Sequence, residues 1–249
     1  MTGETPMTSP PPSRSGRSPD ARSGAGSAAV ASTGRTWLVP AALITLSAVP
    51  IAAGAARLGQ FALGAEITAE NARFFAMPVG VVAHIVSVSV FTVLGAFQFV
   101  PRLRRRGARW HRAAGRITVA SGLVAALSGL WLTLFFPRVA GDGVLITGFR
   151  LVFGSAMALF LVLGFAAIRR RDFVRHRAWM IRGYAIGLGA GTQAMVHLIW
   201  FPFGGMAEGT TRALLIGAGW TINLVVAEWI IRRRAAWAVR GQFLTRPVS

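Results

Sequence analysis

The chain has 249 residues, of which 53% are hydrophobic and 14% charged, and its formal net charge is +19. Its basic residues are all arginine and it has no cysteine. This composition excludes lysine Schiff bases, a P-loop lysine, disulfides, iron–sulfur clusters and haem attachment through Cys-x-x-Cys-His. The arginines lie between apolar blocks and not along one face of a folded domain, so the positive charge does not indicate nucleic-acid binding. The composition is typical of an integral membrane protein, whose main partner is the lipid bilayer.

Residues 1–35 consist largely of Pro, Ser, Gly, Thr and Arg and offer little that a folded core would bury. This composition predicts a disordered, basic N-terminal tail. The apolar block that follows, 37–56, contains the sequence AAGA near Ala52, which resembles a signal-peptide cleavage site. Because the block is longer than a typical signal-peptide core, we expect an uncleaved first transmembrane span.

Six apolar blocks have about the length that a helix needs to cross a bilayer core of roughly 30 Å. Their predicted bounds are 37–56, 77–100, 114–136, 145–168, 178–201 and 213–231. None of them alternates apolar and polar residues as the strands of an outer-membrane barrel do. The sequence therefore predicts an all-α polytopic membrane domain over residues 36–234, a bundle of six transmembrane helices, followed by a C-terminal tail at residues 235–249.

Arginine is unevenly distributed over the connections between these spans. The connections after the second and fourth spans and the segment after the sixth are rich in arginine, whereas the other connections hold most of the acidic residues. Those acidic residues are Glu66, Glu70, Asp142 and Glu208. The positive-inside rule then predicts that both termini are cytoplasmic and that the protein crosses the bacterial cytoplasmic membrane several times.

Four histidines lie at two matched depths in the predicted bundle. His84 and His197 are near the predicted outer face, and His111 and His176 begin the third and fifth spans at the inner face. Histidines paired in this way are the arrangement that two bis-histidine haem b groups need. The iron ligands would be His111, His176 and His84, with His197 as a fourth candidate. Alternatively, the inner pair anchors helix ends at the lipid headgroups, and His84 is a neutral imidazole hydrogen-bonded to Gln193 or a serine.

Further residues would support a haem in this arrangement. Arginine suits haem propionates because it donates two parallel hydrogen bonds to a carboxylate. The arginines beside the inner histidines are Arg112, Arg116, Arg177 and Arg182. Gln98 is a further cofactor-binding candidate, because it shares a helix face with His84 and Phe91 at intervals of seven residues.

Glycines recur on the third and fifth predicted spans at regular intervals. They are Gly115, Gly122 and Gly129 on the third span, and Gly183, Gly187 and Gly191 on the fifth. Such stripes would give a haem ring room against a helix, or they would simply let transmembrane helices pack closely.

The remaining polar residues within the spans indicate no catalytic machinery. The sequence contains no His-Glu-x-x-His, Gly-x-Ser-x-Gly or Asp-rich metal motif, so a hydrolytic enzyme is not expected. Glu228 lies one turn before Arg232, and we expect the two to form an ion pair. Asn223 and Gln193 are expected to bridge helices.

Two segments contain a longer pattern, "AHIVSVSVFTVLGAFQFVPRLRRRGARWHRAAGRITVASGL" and "RRDFVRHRAWMIRGYAIGL". The pattern is an early His in one span, a Gly and a Gln near its end, then His-Arg-x-x-Gly-Arg and His-Arg-x-Trp-Met-x-Arg. The matching residues are His84, Gly95, Gln98, His111, Arg112, Gly115, Arg116, His176, Arg177, Trp179, Met180 and Arg182. Over roughly residues 80–200, this pattern resembles the bacterial membrane proteins grouped as domain of unknown function 2306. The resemblance implies a polytopic membrane protein and leaves its activity open.

The four histidines at two matched depths also resemble the arrangement in cytochrome b561-like proteins. These are six-span electron carriers in which four histidines of the central helices hold two haems. The leading hypothesis is therefore a haem b-binding transmembrane electron carrier that acts with a membrane redox partner. The alternatives are a small transporter or channel-like protein, and a structural or assembly membrane protein without a cofactor. A transporter would need polar residues that converge near the middle of the bilayer.

Overall fold

The structure, a computed structural model, describes residues 20–100, 103, 107–137 and 143–244, with side chains except for 20–36, 108 and 237–244. Within these residues the chain forms helices and connecting turns without a strand, which confirms the all-α class. The helices are α1 (Asp20–Ala62), α2 (Ala72–Ala76), α3 (Pro78–Gln98), α4 (Ala108–Phe135), α5 (Val144–Arg169), α6 (Phe173–Gly187), α7 (Gly189–Gly204) and α8 (Gly209–Leu244).

Five segments of these helices are long and apolar enough to cross a membrane. They are Trp37–Ala62, Pro78–Gln98, Arg109–Phe135, Val144–Arg169 and Gly209–Ala236. The remaining predicted span, 178–201, is divided between α6 and α7, neither of which has that length by itself. The protein therefore has several apolar, membrane-spanning helices, and the count of six spans stays a prediction.

Both ends of the described chain continue as helix beyond the predicted spans. Helix α1 begins at Asp20, within the segment predicted as a tail, where an alanine-rich stretch favours helix. Helix α8 continues to Leu244, within the predicted C-terminal tail. Residues 1–19 and 245–249 of the two predicted tails lie outside the described residues.

The helices pack largely in chain order. Helix α3 packs against α4, α4 against α5 and α5 against α6, and α6 returns to contact α3. Helix α8 lies against α5, α6 and α7, while α1 lies against α3 and α7. The centre of the α3–α6 group is filled by Phe91, Leu161 and Tyr184, and the Tyr184 hydroxyl donates to the Thr92 carbonyl oxygen at 2.7 Å.

Helices α3 and α4 fit together by pairing a side chain of α3 with a glycine of α4 at every seventh residue. The pairs are His84 with Gly129, Phe91 with Gly122, and Gln98 with Gly115. A Cβ at Gly129 would lie 3.1 Å from Cε1 of His84, and one at Gly122 would lie 2.6 Å from Cδ2 of Phe91. The glycine stripe of α4 is therefore filled by side chains of α3, which is the close helix packing that small residues allow in membranes.

The helical path from Phe173 to Gly204 is interrupted at Leu188, between α6 and α7. Leu188 lies halfway, fifteen residues after Phe173 and sixteen before Gly204 (188 − 173 and 204 − 188). Glycines at positions 187, 189 and 191 surround it. Because each glycine weakens a helix by about 0.5–1 kcal/mol relative to alanine, the interruption falls where the helix is locally weakest.

Each of these three glycines also faces a different neighbouring helix. The facing groups are the Phe91 ring of α3 for Gly187, the Trp220 ring of α8 for Gly189, and the Leu46 carbonyl oxygen of α1 for Gly191. Two of the contacts are with side chains, but the Leu46 oxygen belongs to the backbone. A Cβ at Gly191 would overlap that oxygen, so α1 and α7 approach each other at a distance that only glycine permits.

We expect Gly191→Ala to destabilise the protein by on the order of 1–3 kcal/mol, because the added methyl group forces α1 and α7 apart. The measurement is the midpoint of thermal unfolding in detergent. Gly148→Ala in α5 is the matched control, since a Cβ there has open space around it, and its midpoint should be unchanged or higher. Equal midpoints for the two variants would show that the α1–α7 contact is not as close as described.

Candidate functional site

The described residues line an open cavity of about 410 Å³ between α3, α4, α5, the α6–α7 junction and α8. It lies toward the predicted outer end of the bundle, where α3, α5 and α8 begin and α4 and α7 end. Its polar lining residues are Arg73, His84, Thr133, Thr147, Arg150, Gln193 and Arg212. The cavity therefore combines charged and polar groups within an otherwise apolar bundle.

The cavity is deep relative to the length of the helices. On α5 its wall runs from Thr147 to Met157, and Met157 is thirteen residues beyond the start of the helix at Val144 (157 − 144). At 1.5 Å per residue this corresponds to a depth of about 20 Å. Gly187 and Ala190 line the same inner end, so the interruption at Leu188 lies at the cavity floor.

Positive charge is concentrated at the mouth of the cavity. Arg73 comes from α2, Arg150 from the second turn of α5 and Arg212 from the first turn of α8. Arg73 lies over the Phe74 ring, with its guanidinium carbon 4.5 Å from the ring centroid. Among the described lining residues there is no aspartate or glutamate. The lining of the mouth is therefore cationic.

A second cavity, of about 390 Å³, adjoins the first. The two share His84 and Ala190 among their lining residues, and the second extends toward α1, where Arg57 lines it. The Arg57 guanidinium lies 3.7 Å from the centroid of the Phe74 ring. His84 therefore lies in the wall between two spaces, both of which reach the α6–α7 junction.

His84 has a fixed orientation in this wall. Its Nδ1 lies 3.0 Å from the Ala125 carbonyl oxygen and 3.1 Å from the Ser128 hydroxyl oxygen, both on α4. A carbonyl oxygen only accepts hydrogen bonds, so a neutral His84 carries its proton on Nδ1 and leaves Nε2 as an acceptor. A neutral His84 that is hydrogen-bonded to a serine was one of the alternatives that the sequence left open.

Two amide side chains bridge helices beside the interruption, as the sequence predicted. Gln193 donates through Nε2 to the Ile216 carbonyl oxygen of α8 at 3.1 Å. Asn223 of α8 donates to the Ala185 carbonyl oxygen at 3.0 Å and accepts from the Thr192 hydroxyl at 2.7 Å. Ala185 precedes Leu188 and Thr192 follows it, so one amide holds both sides of the interruption.

The other three histidines lie apart from this cavity. The Nδ1 of His197 is 2.8 Å from the Gln193 carbonyl oxygen of its own helix. The Nδ1 of His176 is 2.8 Å from the Gly164 carbonyl oxygen, which holds the start of α6 against α5. His111 lies in the first turn of α4. His84 is the only histidine among the described residues that line either cavity.

The four arginines predicted to bind haem propionates have different surroundings. Arg112, Arg116 and Arg177 are exposed. Arg182 instead binds Glu228 of α8 with two hydrogen bonds, one of them 3.0 Å between Nη2 and Oε2. Arg232, the predicted partner, acts on Glu228 through its charge, while the bidentate contact is with Arg182 on α6.

Gln98 contacts the glycine stripe of α4 at the predicted inner end. Its side-chain oxygen would lie 3.7 Å from a Cβ at Gly115, and its amide nitrogen is buried without a hydrogen-bond partner among the described residues. The described residues also contain no group of three or more His, Cys, Asp or Glu side chains that would hold a metal ion.

Sequence reasoning did not identify the arginines and the tryptophan of the cavity as parts of one site. Arg212 and Trp220 share a face of α8 with Ile216, at intervals of four residues, and this spacing is visible in the sequence. Arg73 and Arg150 come from elements far apart in the chain, and only the packing of the helices brings them to the same cavity.

The fold and the site define a polytopic helical membrane protein with a polar cavity inside its bundle. A family model described as a predicted membrane protein, domain of unknown function 2306, matches residues 81–231, more than half of the chain. The chain belongs to this family, as its histidine and arginine motifs indicated. No curated protein and no solved structure matches the chain.

We expect Glu228→Arg to destabilise the protein by about 1 kcal/mol, because Arg182 then faces a second cation where it had a partly exposed bidentate partner. The double variant Arg182→Glu/Glu228→Arg should recover most of this loss, as measured by the midpoint of thermal unfolding in detergent. Arg169→Gln, at an exposed arginine of α5, is the control and should have little effect. A double variant as unstable as the sum of the single variants would argue against the pair.

Proposed function

We propose that the protein is a membrane transporter for a small solute, with the cavity at the predicted outer end as its binding site. The observation that carries this proposal is the position of the interruption between α6 and α7. Gly187 and Ala190, on either side of Leu188, line the inner end of the cavity. Transporter sites are commonly built where membrane helices are interrupted near the middle of the bilayer.

Polar groups at the interruption support the same function. Gln193 lines the cavity, and Asn223 connects the carbonyl group of Ala185 to the hydroxyl group of Thr192. Hydrogen bonds of this kind between membrane helices contribute about 0.6–2 kcal/mol each, so they hold an irregular backbone without making it rigid. They are polar residues of the kind that a transporter needs near the middle of the bilayer.

The contacts below the cavity support closure at the predicted inner end. Phe91, Leu161 and Tyr184 fill the bundle on the inner side of the cavity floor. Farther along α6 in the same direction, Arg182 and Glu228 connect α6 to α8. In a transporter, the solute would leave toward the inner side when these contacts separate and the outer mouth closes.

Accessibility of an introduced cysteine tests this proposal, since the chain has no cysteine of its own. In the resting protein, Ala190→Cys should react with a membrane-impermeant maleimide added to the outside of intact cells, and much less when it is added to inverted vesicles. The reason is that Ala190 lines the open cavity while the inner side is closed. In the Glu228→Gln background, reaction from the inner side should increase at least about threefold, as loss of a contact of roughly 1 kcal/mol predicts.

Leu198→Cys is the matched control for this measurement. Leu198 lies on the same helix but is 65% exposed on its outer surface, where lipid would shield a thiol from a polar reagent. It should therefore react slowly from both sides. Equal reaction of Ala190→Cys from the two sides, or none from either, would overturn the transporter proposal.

A second candidate function, haem b binding, is favoured by the hydrogen bond that fixes His84. Histidines bound to metal commonly donate their other ring N–H group to a carbonyl oxygen, and Nδ1 of His84 faces that of Ala125 at 3.0 Å. Nε2 would then be the ligand atom. In either cavity a haem would have His84 as its single histidine ligand among the described lining residues.

If the protein binds haem at His84, protein purified in detergent from haem-replete cells should give a sharp b-type signal in a dithionite-reduced minus oxidised spectrum. His84→Ala should abolish this signal because it removes the ligand, whereas His197→Ala should leave it unchanged. The controls are the thermal midpoints of both variants. Folded wild-type protein without a b-type signal would exclude this candidate.

A further inference from the structure

On the lipid-facing side of the bundle, the groove between α4 and α5 is closed toward the predicted outer end and opens toward the inner end. The Leu130 side chain of α4 fits against Gly154 of α5, where an added Cβ would lie 2.9 Å from Cδ2 of Leu130. Leu161, seven residues after Gly154 on the same face of α5, is fully buried and contacts Gly122 of α4. Phe165, one turn beyond Leu161, is 42% exposed. The two helices therefore cover each other less toward the inner end.

Two arginines of α4 lie at the open end of this groove. Arg116, Leu123 and Leu130 follow one another at intervals of seven residues, so Arg116 shares the face of α4 that packs against α5. Arg112 lies one turn before Arg116 on the same side of the helix. Both arginines are exposed, as is Phe165 on α5. The open end thus combines two guanidinium groups with an apolar wall.

Neither arginine has a carboxylate partner among the described residues. The two acidic residues described at this end, Asp172 and Glu228, form their ion pairs with arginines of α6. Arg116 lies two residues inside the predicted span 114–136, at the boundary between lipid headgroups and hydrocarbon. A charged side chain at that depth is stabilised by an opposite charge, and lipid phosphate is the anion that a bilayer supplies there.

We propose that the inner end of the α4–α5 groove binds one anionic phospholipid of the surrounding bilayer. Its phosphate would lie between Arg112 and Arg116, and one acyl chain would follow Phe165 and Val162 along α5, where Val162 is 51% exposed. Arginine is suited to this role because its planar guanidinium donates two parallel hydrogen bonds to phosphate oxygens. Basic pockets between membrane helices on the cytoplasmic side bind lipid headgroups in this way. The site is separate from the cavity of the proposed transporter and does not depend on transport.

The charge of the groove selects among lipids. Arg112 and Arg116 place two positive charges beside one phosphate, and the choline cation of phosphatidylcholine would be repelled there. Phosphatidylglycerol has the same phosphate without a cation and is the expected class of lipid. A free phosphate would form the same hydrogen bonds, but it has no acyl chain to hold it at the depth of Arg116 and should bind more weakly.

Native mass spectrometry of the purified full-length protein in detergent tests this site, because it counts bound lipid molecules. We expect the wild type to retain one phosphatidylglycerol molecule. Phosphatidylcholine with the same acyl chains and glycerol 3-phosphate should each bind at least about tenfold more weakly. Arg112→Gln/Arg116→Gln should weaken phosphatidylglycerol binding more than about tenfold, since each arginine beside an anionic lipid contributes about fivefold.

A matched pair of arginines on another helix is the control. Arg233→Gln/Arg234→Gln removes the same charge at the predicted inner end from α8, which packs against α5, α6 and α7. This variant should bind phosphatidylglycerol as the wild type does. Should the α4 double variant fail to fold, Arg116→Gln alone takes its place, with an expected loss of about fivefold.

Three outcomes would overturn the lipid site. Equal binding of phosphatidylcholine and phosphatidylglycerol would show that the groove does not select charge. An equal loss in the α4 and α8 double variants would show that overall charge, and not this groove, attracts the lipid. Glycerol 3-phosphate bound as tightly as phosphatidylglycerol would show that the arginines serve a soluble phosphate instead.

Discussion

The close approach of helix backbones at glycine is the constraint on which the rest of this structure depends. Lipid is as apolar as the helices, so burial from water does not drive them together within the bilayer, and they associate where small residues let them come close. In α4 the glycines at 115, 122 and 129 receive side chains of α3, and in α7 Gly191 meets the backbone of α1. These contacts fix the register and spacing of the bundle.

The candidate site follows from the same contacts. His84 is held at the cavity wall because Gly129 leaves room for its ring, and from there its Nδ1 reaches the Ala125 carbonyl oxygen of α4. The glycines around Leu188 let Phe91 and Trp220 pack against the α6–α7 junction and at the same time weaken the helix there. Close packing and an irregular backbone thus have one cause, and both occur at the floor of the cavity.

The sequence alone predicted the class of fold and which residues share a helix face, because both depend on local hydrophobicity and on spacing along the chain. It placed His84, Phe91 and Gln98 on one stripe and the α4 glycines on another. It did not show that the stripes pair, since pairing depends on the register between two helices. For the same reason the sequence indicated Arg232 for Glu228 and did not reveal Arg182, its bidentate partner on another helix.

The cavity itself was beyond sequence reasoning for a related physical reason. A transmembrane bundle contains a cavity where several helices lack bulky side chains at the same depth. The sequence of one span does not show which residues of other helices lie at that depth. Here Phe91 and Leu161 fill the bundle at one depth and both side chains are fully buried, whereas the cavity lies farther out, where Arg150 lines it. A bundle that is packed at one end and open and cationic at the other already has the asymmetry that a one-sided binding site requires.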